Sequence, residues 1–325
     1  MGTVKRVKTN LPPGAALGAL LTFSAAFTNG RLFSTRQETA LFSGNSRCRM
    51  KQQTASLAIL FPNMPLVRVS DLLDPRLASY REMKDRDLAR HGPLFIAEGW
   101  QVVQRLLASD FPCESILTSA KRADEVTALA PPHVPVYVVD ALVMDQVIGF
   151  KFHQGVLACG RRKPPTTLEQ ICGGKDRLTL VICPEIANTE NLGTLTRIAA
   201  GFGADAMVLG ERSCNPFYRQ SVRVSMGTVF SLPIVESQNL VADLGALRER
   251  FGVELVATVL DESAESLEQT QRSNKLALLF GNEAQGLSTE IVAACDRRVT
   301  IPMKRGTDSL NVAVSAGVIL YHFTG

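Results

Sequence analysis

The sequence predicts an α/β fold in which a parallel sheet, covered by helices on both faces, follows a smaller α/β domain. Three observations carry this. Short apolar runs such as LTLVIC (178–183), AMVLG (206–210), VELVATV (253–259) and LALLF (276–280) alternate with stretches whose apolar residues recur every three or four positions. Two runs stop at glycine- and amide-rich loops, at Gly281-Asn282-Glu283 and after Ile301-Pro302, as strands do when they deliver polar residues to the carboxyl edge of an open sheet. The 325 residues are 46% hydrophobic, enough for two modest cores.

Residues 1–65 read as a targeting or disordered leader. They hold eight Lys or Arg against Glu38 alone, and their apolar segment 11–27 is broken by Pro12, Pro13, Gly14 and Gly18. This composition suits import into a mitochondrion or plastid. The alternative is translation from Met50 or Met64 and a cytoplasmic protein. From Leu66 charge mixes with apolar residues at helical spacing, and LFIAEGWQVVQRLLAS turns from strand into amphipathic helix. ESILTS, VPVYVV and QGVLAC are further strands, so a small α/β domain spans 66–163. Pro164-Pro165 and Gly173-Gly174 mark 164–177 as a linker.

The second domain, 178–325, opens on LTLVIC. Asn191 is placed to cap a helix whose residues Leu192, Leu195, Ile198, Ala199 and Phe202 share a face, with Thr194 and Arg197 pointing away. A strand, the basic stretch 212–223, a helix at about 239–251 and the remaining strands follow. Asp308 or Ser309 is the expected cap of a last, buried helix over 310–321, with Asp308, Asn311 and Ser315 along one side.

Composition excludes several classes. Without the leader the chain holds 27 basic against 30 acidic residues, so a polyanion must be met by local patches. The seven cysteines contain no C-x-x-C pair and read as reduced thiols, and the four histidines show no metal-ligand spacing, so no metal is expected. No apolar run reaches the ~20 residues of a membrane span. Gly201-Phe202-Gly203-Ala204-Asp205-Ala206 matches a dinucleotide fingerprint in letters, but it ends a helix and enters a strand, which is a helix C-cap. LTLVIC runs into Pro184-Glu185 with no glycine turn, and no G-K-[ST] loop exists.

Three motifs in order carry a family resemblance: Asn191-Leu192-Gly193-x-x-x-Arg197, then Phe280-Gly281-Asn282-Glu283-x-x-Gly286-Leu287, then Ile301-Pro302-Met303 with Ser309-Leu310-Asn311-Val312. Residues 178–325 resemble the SpoU (TrmH-type) RNA 2′-O-ribose methyltransferases of the SPOUT superfamily. Residues 66–163 are similar to the ribosomal-protein-like RNA substrate-binding domain often fused upstream, with His153-Gln154-Gly155-Val156 as its closing phrase. The resemblance implies a trefoil-knotted methyltransferase domain, a homodimer, S-adenosylmethionine as methyl donor, and a ribose 2′-hydroxyl of structured rRNA or tRNA as acceptor.

It also implies roles for individual residues. Leu260, Gly281, Ile301, Met303 and Leu310 would hold the cofactor, backbone groups reading the adenine edge and apolar side chains covering its faces. Asn191, Arg197, Glu283, Ser309 and Asn311 would act on the RNA. Arg197 matches the family's catalytic arginine; a guanidinium holds its proton to above about pH 12, so it serves either as base or as the group that grips phosphate or ribose while Ser309 orients the hydroxyl. Arg212, Arg219 and Arg223 are the candidate RNA phosphate contacts. The competing reading, a non-catalytic RNA-binding platform, predicts a degraded methyl site, and Arg197, Glu283, Ser309 and Asn311 are all in place.

Overall fold

The computed structural model describes residues 22–28, 31–37, 66–81, 92–148 and 155–324. The chain divides into two units, 1–58 and 59–325. In the first, the described residues form an antiparallel hairpin, β1 (Thr22–Thr28) with β2 (Arg31–Gln37). The rest of the expected leader, and His153-Gln154, lie outside the described residues.

The second unit holds two sheets. The first contains β3 (Leu66–Arg68), β4 (Leu94–Glu98), β5 (Cys113–Ser119), β6 (Val136–Val139) and β7 (Val156–Arg161), in the order β3-β6-β5-β7-β4. β3, β5 and β6 run parallel; β7 is antiparallel to both β4 and β5. Its helices are α1 (Ala78–Arg81), α2 (Trp100–Leu107), α3 (Ala123–Leu129) and α4 (Ala141–Ile148). Val102, Val103 and Leu106 of α2 bury the apolar stripe that the sequence predicts there.

The segment expected to be a linker contains a helix, α5 (Leu168–Cys172). Thr167 and Gln170 form a reciprocal capping box, and Leu168, Ile171 and Cys172 are buried in the second core. The proline and glycine pairs bound this element without making the stretch loose.

The second sheet has seven strands, all parallel: β8 (Leu178–Cys183), β9 (Ala206–Leu209), β10 (Ile234–Glu236), β11 (Glu254–Thr258), β12 (Glu265–Ser266), β13 (Lys275–Leu279) and β14 (Arg297–Thr300). Their order is β10-β9-β8-β13-β11-β14-β12. β8 is buried on both faces, the mark of a central parallel strand. Helices α6 (Thr189–Gly201), α7 (Arg219–Val224), α8 (Leu240–Phe251), α9 (Thr289–Ala293) and α10 (Val312–Thr324) accompany this sheet. α6 and α10 share one core beneath the sheet, and α5 and α8 cover the other face.

The two sheets also share a core. Phe95 and Phe111 of the first meet Phe217 and Phe230 of the second, with ring centroids 5.2–5.9 Å apart. At its edge Glu98, 5% exposed, pairs with Arg219 at 3.2 Å.

Candidate active site

The strand order explains why residues a hundred positions apart meet. β13 lies between β8 and β11, so the chain after β8 and the chain after β13 leave adjacent strands at the sheet's carboxyl edge. Phe280 N–H donates to Ile182 O at 2.9 Å, extending the pairing to the point where both chains turn away.

The loop after β13 is closed on itself. Asn282 and Gly286 exchange both backbone hydrogen bonds at 2.9 Å, and the Asn282 side chain accepts from Ala284 N–H and donates to Glu185 O. A Cβ on Gly281 would lie 2.3 Å from the Gly286 carbonyl carbon and 2.4 Å from Leu287 N, so only glycine lets the loop fold over here. The closure turns Glu283 outward toward the start of α6.

At α6 the structure corrects the expected cap. Asn188 is the N-cap, its Oδ1 accepting from Glu190 and Asn191 N–H at 2.8 and 3.1 Å. Asn191 sits in the first turn, and its side chain is therefore free for another task. Asn191 Nδ2 donates to Glu283 Oε1 at 3.0 Å, and Asn188 N–H donates to the same oxygen at 3.3 Å. The last helix is corrected in the same way. It begins at Val312, and its cap is Asn311, whose Oδ1 accepts from Ala313 N–H at 2.9 Å, while Asp308 and Ser309 lie in the exposed loop before it. Asn311 Nδ2 donates to Asn191 Oδ1 at 3.0 Å. The three motifs thus join in one chain, Asn311 to Asn191 to Glu283, in which the orientation of both amides is fixed by their partners.

Among the described residues, Arg197 makes no hydrogen bond or ion pair. It is exposed on α6, six residues and about 9 Å of helix rise beyond Asn191. Gly193 lets α7 pack close to this part of α6: a Cβ there would be 2.6 Å from Ser221 O. Ser309 is also exposed and outside the hydrogen-bonded chain. The structure therefore unites three of the five candidate catalytic residues and leaves two at the rim.

The three candidate RNA arginines differ. Arg212 pairs with Glu185 at 2.9 Å with its side chain 68% exposed, and Arg223 stands 3.9 Å from Glu98 and is half exposed. Arg219 is the main counterion of the buried Glu98, a role in holding the two sheets together that the sequence did not show. Cys214, behind Glu283, is a thiol pushed up to about 12, first by burial and then by the Glu283 charge.

The five candidate cofactor residues converge on the edge formed by β11, β13 and β14. Leu260 follows β11 and is 67% exposed, Leu310 is 37% exposed, and Ile301 and Met303 are half-buried after β14. Arg305 and Gly306 adopt positive φ, which reverses the chain between Met303 and Leu310. Large apolar side chains left in solvent beside two loops rich in backbone donors and acceptors suit the faces and edge of an adenine. The residues present fit S-adenosylmethionine. Among the described residues no three His, Cys, Asp or Glu side chains gather as a metal ion would need, and no helix is long and apolar enough to cross a membrane.

The parallel sheet carries amide and carboxylate side chains and exposed apolar side chains on neighbouring loops at one edge. Residues 178–321 match the SpoU rRNA methylase family, and the chain belongs to it. It is a methyltransferase that uses S-adenosylmethionine. It is 39% identical over 264 residues to an uncharacterized tRNA/rRNA methyltransferase of Mycobacterium tuberculosis, covering 79% of this chain and 91% of that one. It is 29% identical to the 23S rRNA (guanosine-2′-O-)-methyltransferase RlmB of Acinetobacter baylyi, over 62% of this chain and 83% of the relative. The crystal structure of an AdoMet-bound rRNA methyltransferase from Sinorhizobium meliloti superposes with a TM-score of 0.70 at 25% identity, covering 79% of this chain and 97% of that one.

Proposed function

We propose that the chain methylates a ribose 2′-hydroxyl in ribosomal RNA, and that Glu283, held by Asn191, receives the hydroxyl. The observation that carries this is the hydrogen-bonded chain from Asn311 through Asn191 to Glu283. Both bonds that Glu283 accepts fall on Oε1, so Oε2 is unspent among the described residues and can accept from a hydroxyl. Asn191 and Asn311 fix the carboxylate's direction; Ser309 and the Arg197 guanidinium, at the rim, grip ribose and phosphate. Bound S-adenosylmethionine supplies an electrophilic methyl group on its sulfonium. Aligning acceptor and donor in this way contributes on the order of 7 kcal/mol or more in good cases.

In this reading the domain of 178–325 is a trefoil knot. Its support is the insertion of β13 between β8 and β11, together with the return of α10 onto α6. Knots are rare, and the family resemblance is what raises this one. The protein works as a homodimer: Val314, Val318 and Tyr321 recur at helical spacing and leave an exposed apolar stripe on α10, which a second copy covers. The sheet of 66–163 binds RNA, and Arg212 and Arg223 contact its phosphates. The basic leader directs the protein to a mitochondrion or plastid.

The test is methyl transfer from labelled S-adenosylmethionine to unmodified rRNA and tRNA pools, followed by mapping of alkali-resistant linkages. A single resistant position in rRNA is expected. Binding of cofactor and RNA without transfer would refute the assignment in favour of a binding platform.

A further inference from the structure

A cavity of about 1090 Å³ opens beside the start of α6, at the carboxyl ends of β9 and β10. It lies on the opposite side of β8 from the cofactor loops, and Leu94 and Ile96 of the first sheet form part of its wall. Asn188 belongs both to this wall and to the catalytic chain, through its backbone bond to Glu283, so the cavity begins one residue from where the acceptor ribose would sit.

Most polar groups on the wall are already committed. Gln220 donates to Glu190 at 2.7 Å, Glu211 accepts from Leu240 N–H at 2.9 Å, and Glu236 is paired with Arg162. Among those that are not, the hydroxyl of half-buried Tyr218 and the amide of Gln238 have no hydrogen-bond partner among the described residues. The charged lining is Glu190, Glu211 and Glu236 against Arg212 and Arg219, net negative, which disfavours a phosphate and admits a neutral, flat, hydrogen-bonding ligand.

We propose that this cavity takes the base of the acceptor nucleotide, unstacked from its RNA, and that Tyr218 and Gln238 read it. The proposal rests on the methyltransferase reading above. A base joined to a ribose at Glu283 can enter the cavity beyond Asn188 on that side of β8, and an aromatic ring with an unspent amide is the pairing that recognises an extruded base.

The experiment compares the full chain with the double variant Tyr218→Phe/Gln238→Ala, which leaves every core cluster untouched. Saturation-transfer NMR is run with GMP, AMP, CMP and UMP, and with ribose 5-phosphate as the base-free control. At least one nucleotide should show transfer to its base protons, the control none, and the variant should bind about tenfold more weakly, as for lost hydrogen bonds. In parallel, methyl transfer is measured on an unmodified 23S rRNA transcript and on transcripts with the acceptor base exchanged. The variant should lose about tenfold of the wild-type preference among bases while its affinity for S-adenosylmethionine stays within twofold. Equal nucleotide binding by the two proteins, or undiminished base preference in the variant, would overturn the cavity assignment while leaving the methyltransferase intact. Nucleotide binding that depends on the two residues, with no methyl transfer to any RNA, would overturn the proposal together with the assignment of the acceptor ribose to Glu283, leaving a nucleotide cavity of another use.

Discussion

Replacing Glu283 with Gln separates the chemistry at the site from its architecture. The amide oxygen introduced by Glu283→Gln can still accept from Asn191 Nδ2 and Asn188 N–H, which lie 3.0 and 3.3 Å from Glu283 Oε1. Two charge-assisted bonds become neutral ones, and both are exposed to solvent, so the loss is about 1 kcal/mol. That corresponds to a fall of about 2–4 °C in Tm for a domain of this size. The position of Oε2 changes far more: an acceptor for the 2′-hydroxyl is replaced by an NH₂ donor. Removing a positioned proton acceptor costs ~10²–10⁴-fold in rate, so single-turnover methyl transfer to rRNA should slow by at least about a hundredfold. Cofactor affinity, measured by calorimetry, should stay within twofold, because the Gly281 loop and Leu260 are untouched. Glu283→Ala should be no slower than the Gln variant, though less stable. A Gln variant within threefold of wild-type rate would show that Glu283 is only a strut, and a parallel loss of cofactor binding would show that the loop had moved.

Other substitutions probe the remaining parts. Gly281→Ala places a methyl group 2.3 Å from the backbone of Gly286 in the same loop, so the loop must open; cofactor affinity should fall at least about tenfold, with Tm nearly unchanged because the clash is at the sheet's edge. Charge reversal of Arg212 and Arg223 together should lower the salt slope of RNA binding by about two, and an unchanged slope would make them ordinary surface charges. Reversing Arg219 instead would set a like charge against the buried Glu98 and leave it only Arg223 at 3.9 Å, costing about 3–5 kcal/mol of stability. Val318→Asp, on the exposed stripe of α10 and outside the cores, should convert a dimer to a folded monomer in sedimentation; a dimer that survives would place the interface elsewhere.

Much of this fold was legible because short apolar runs bounded by glycine and proline leave few alternatives to a buried strand. β8, β11 and β13 fall within a residue or so of their expected ends. The caps were less legible. Asn188 and Asn191 both suit a helix start, and so do Asp308, Ser309 and Asn311; nothing local says which is taken, because the choice is made by Glu283 across the site. The α5 helix was hidden by flanking Pro and Gly pairs, although Thr167-x-x-Gln170 was the signal that could have found it. Arg219 could not be told from Arg212 or Arg223, since the partner that distinguishes it lies far upstream, at Glu98. The base cavity has no sequence signature at all: its walls come from both sheets.

The phenylalanine cluster between the sheets has a consequence for how the chain is made. The first sheet is complete when Arg161 has left the ribosome, but two of the four rings that close its apolar side, Phe217 and Phe230, arrive up to ~70 residues later. At ~5–20 residues per second that is an interval of about 3–14 s. During it a finished sheet shows Phe95 and Phe111 to solvent or to whatever holds nascent chains. The same gap makes 66–163 a poor candidate for expression alone, and it means that β3 to β7 wait for the catalytic half before they are stable. Completion of the fold is thereby tied to synthesis of the enzyme's second half.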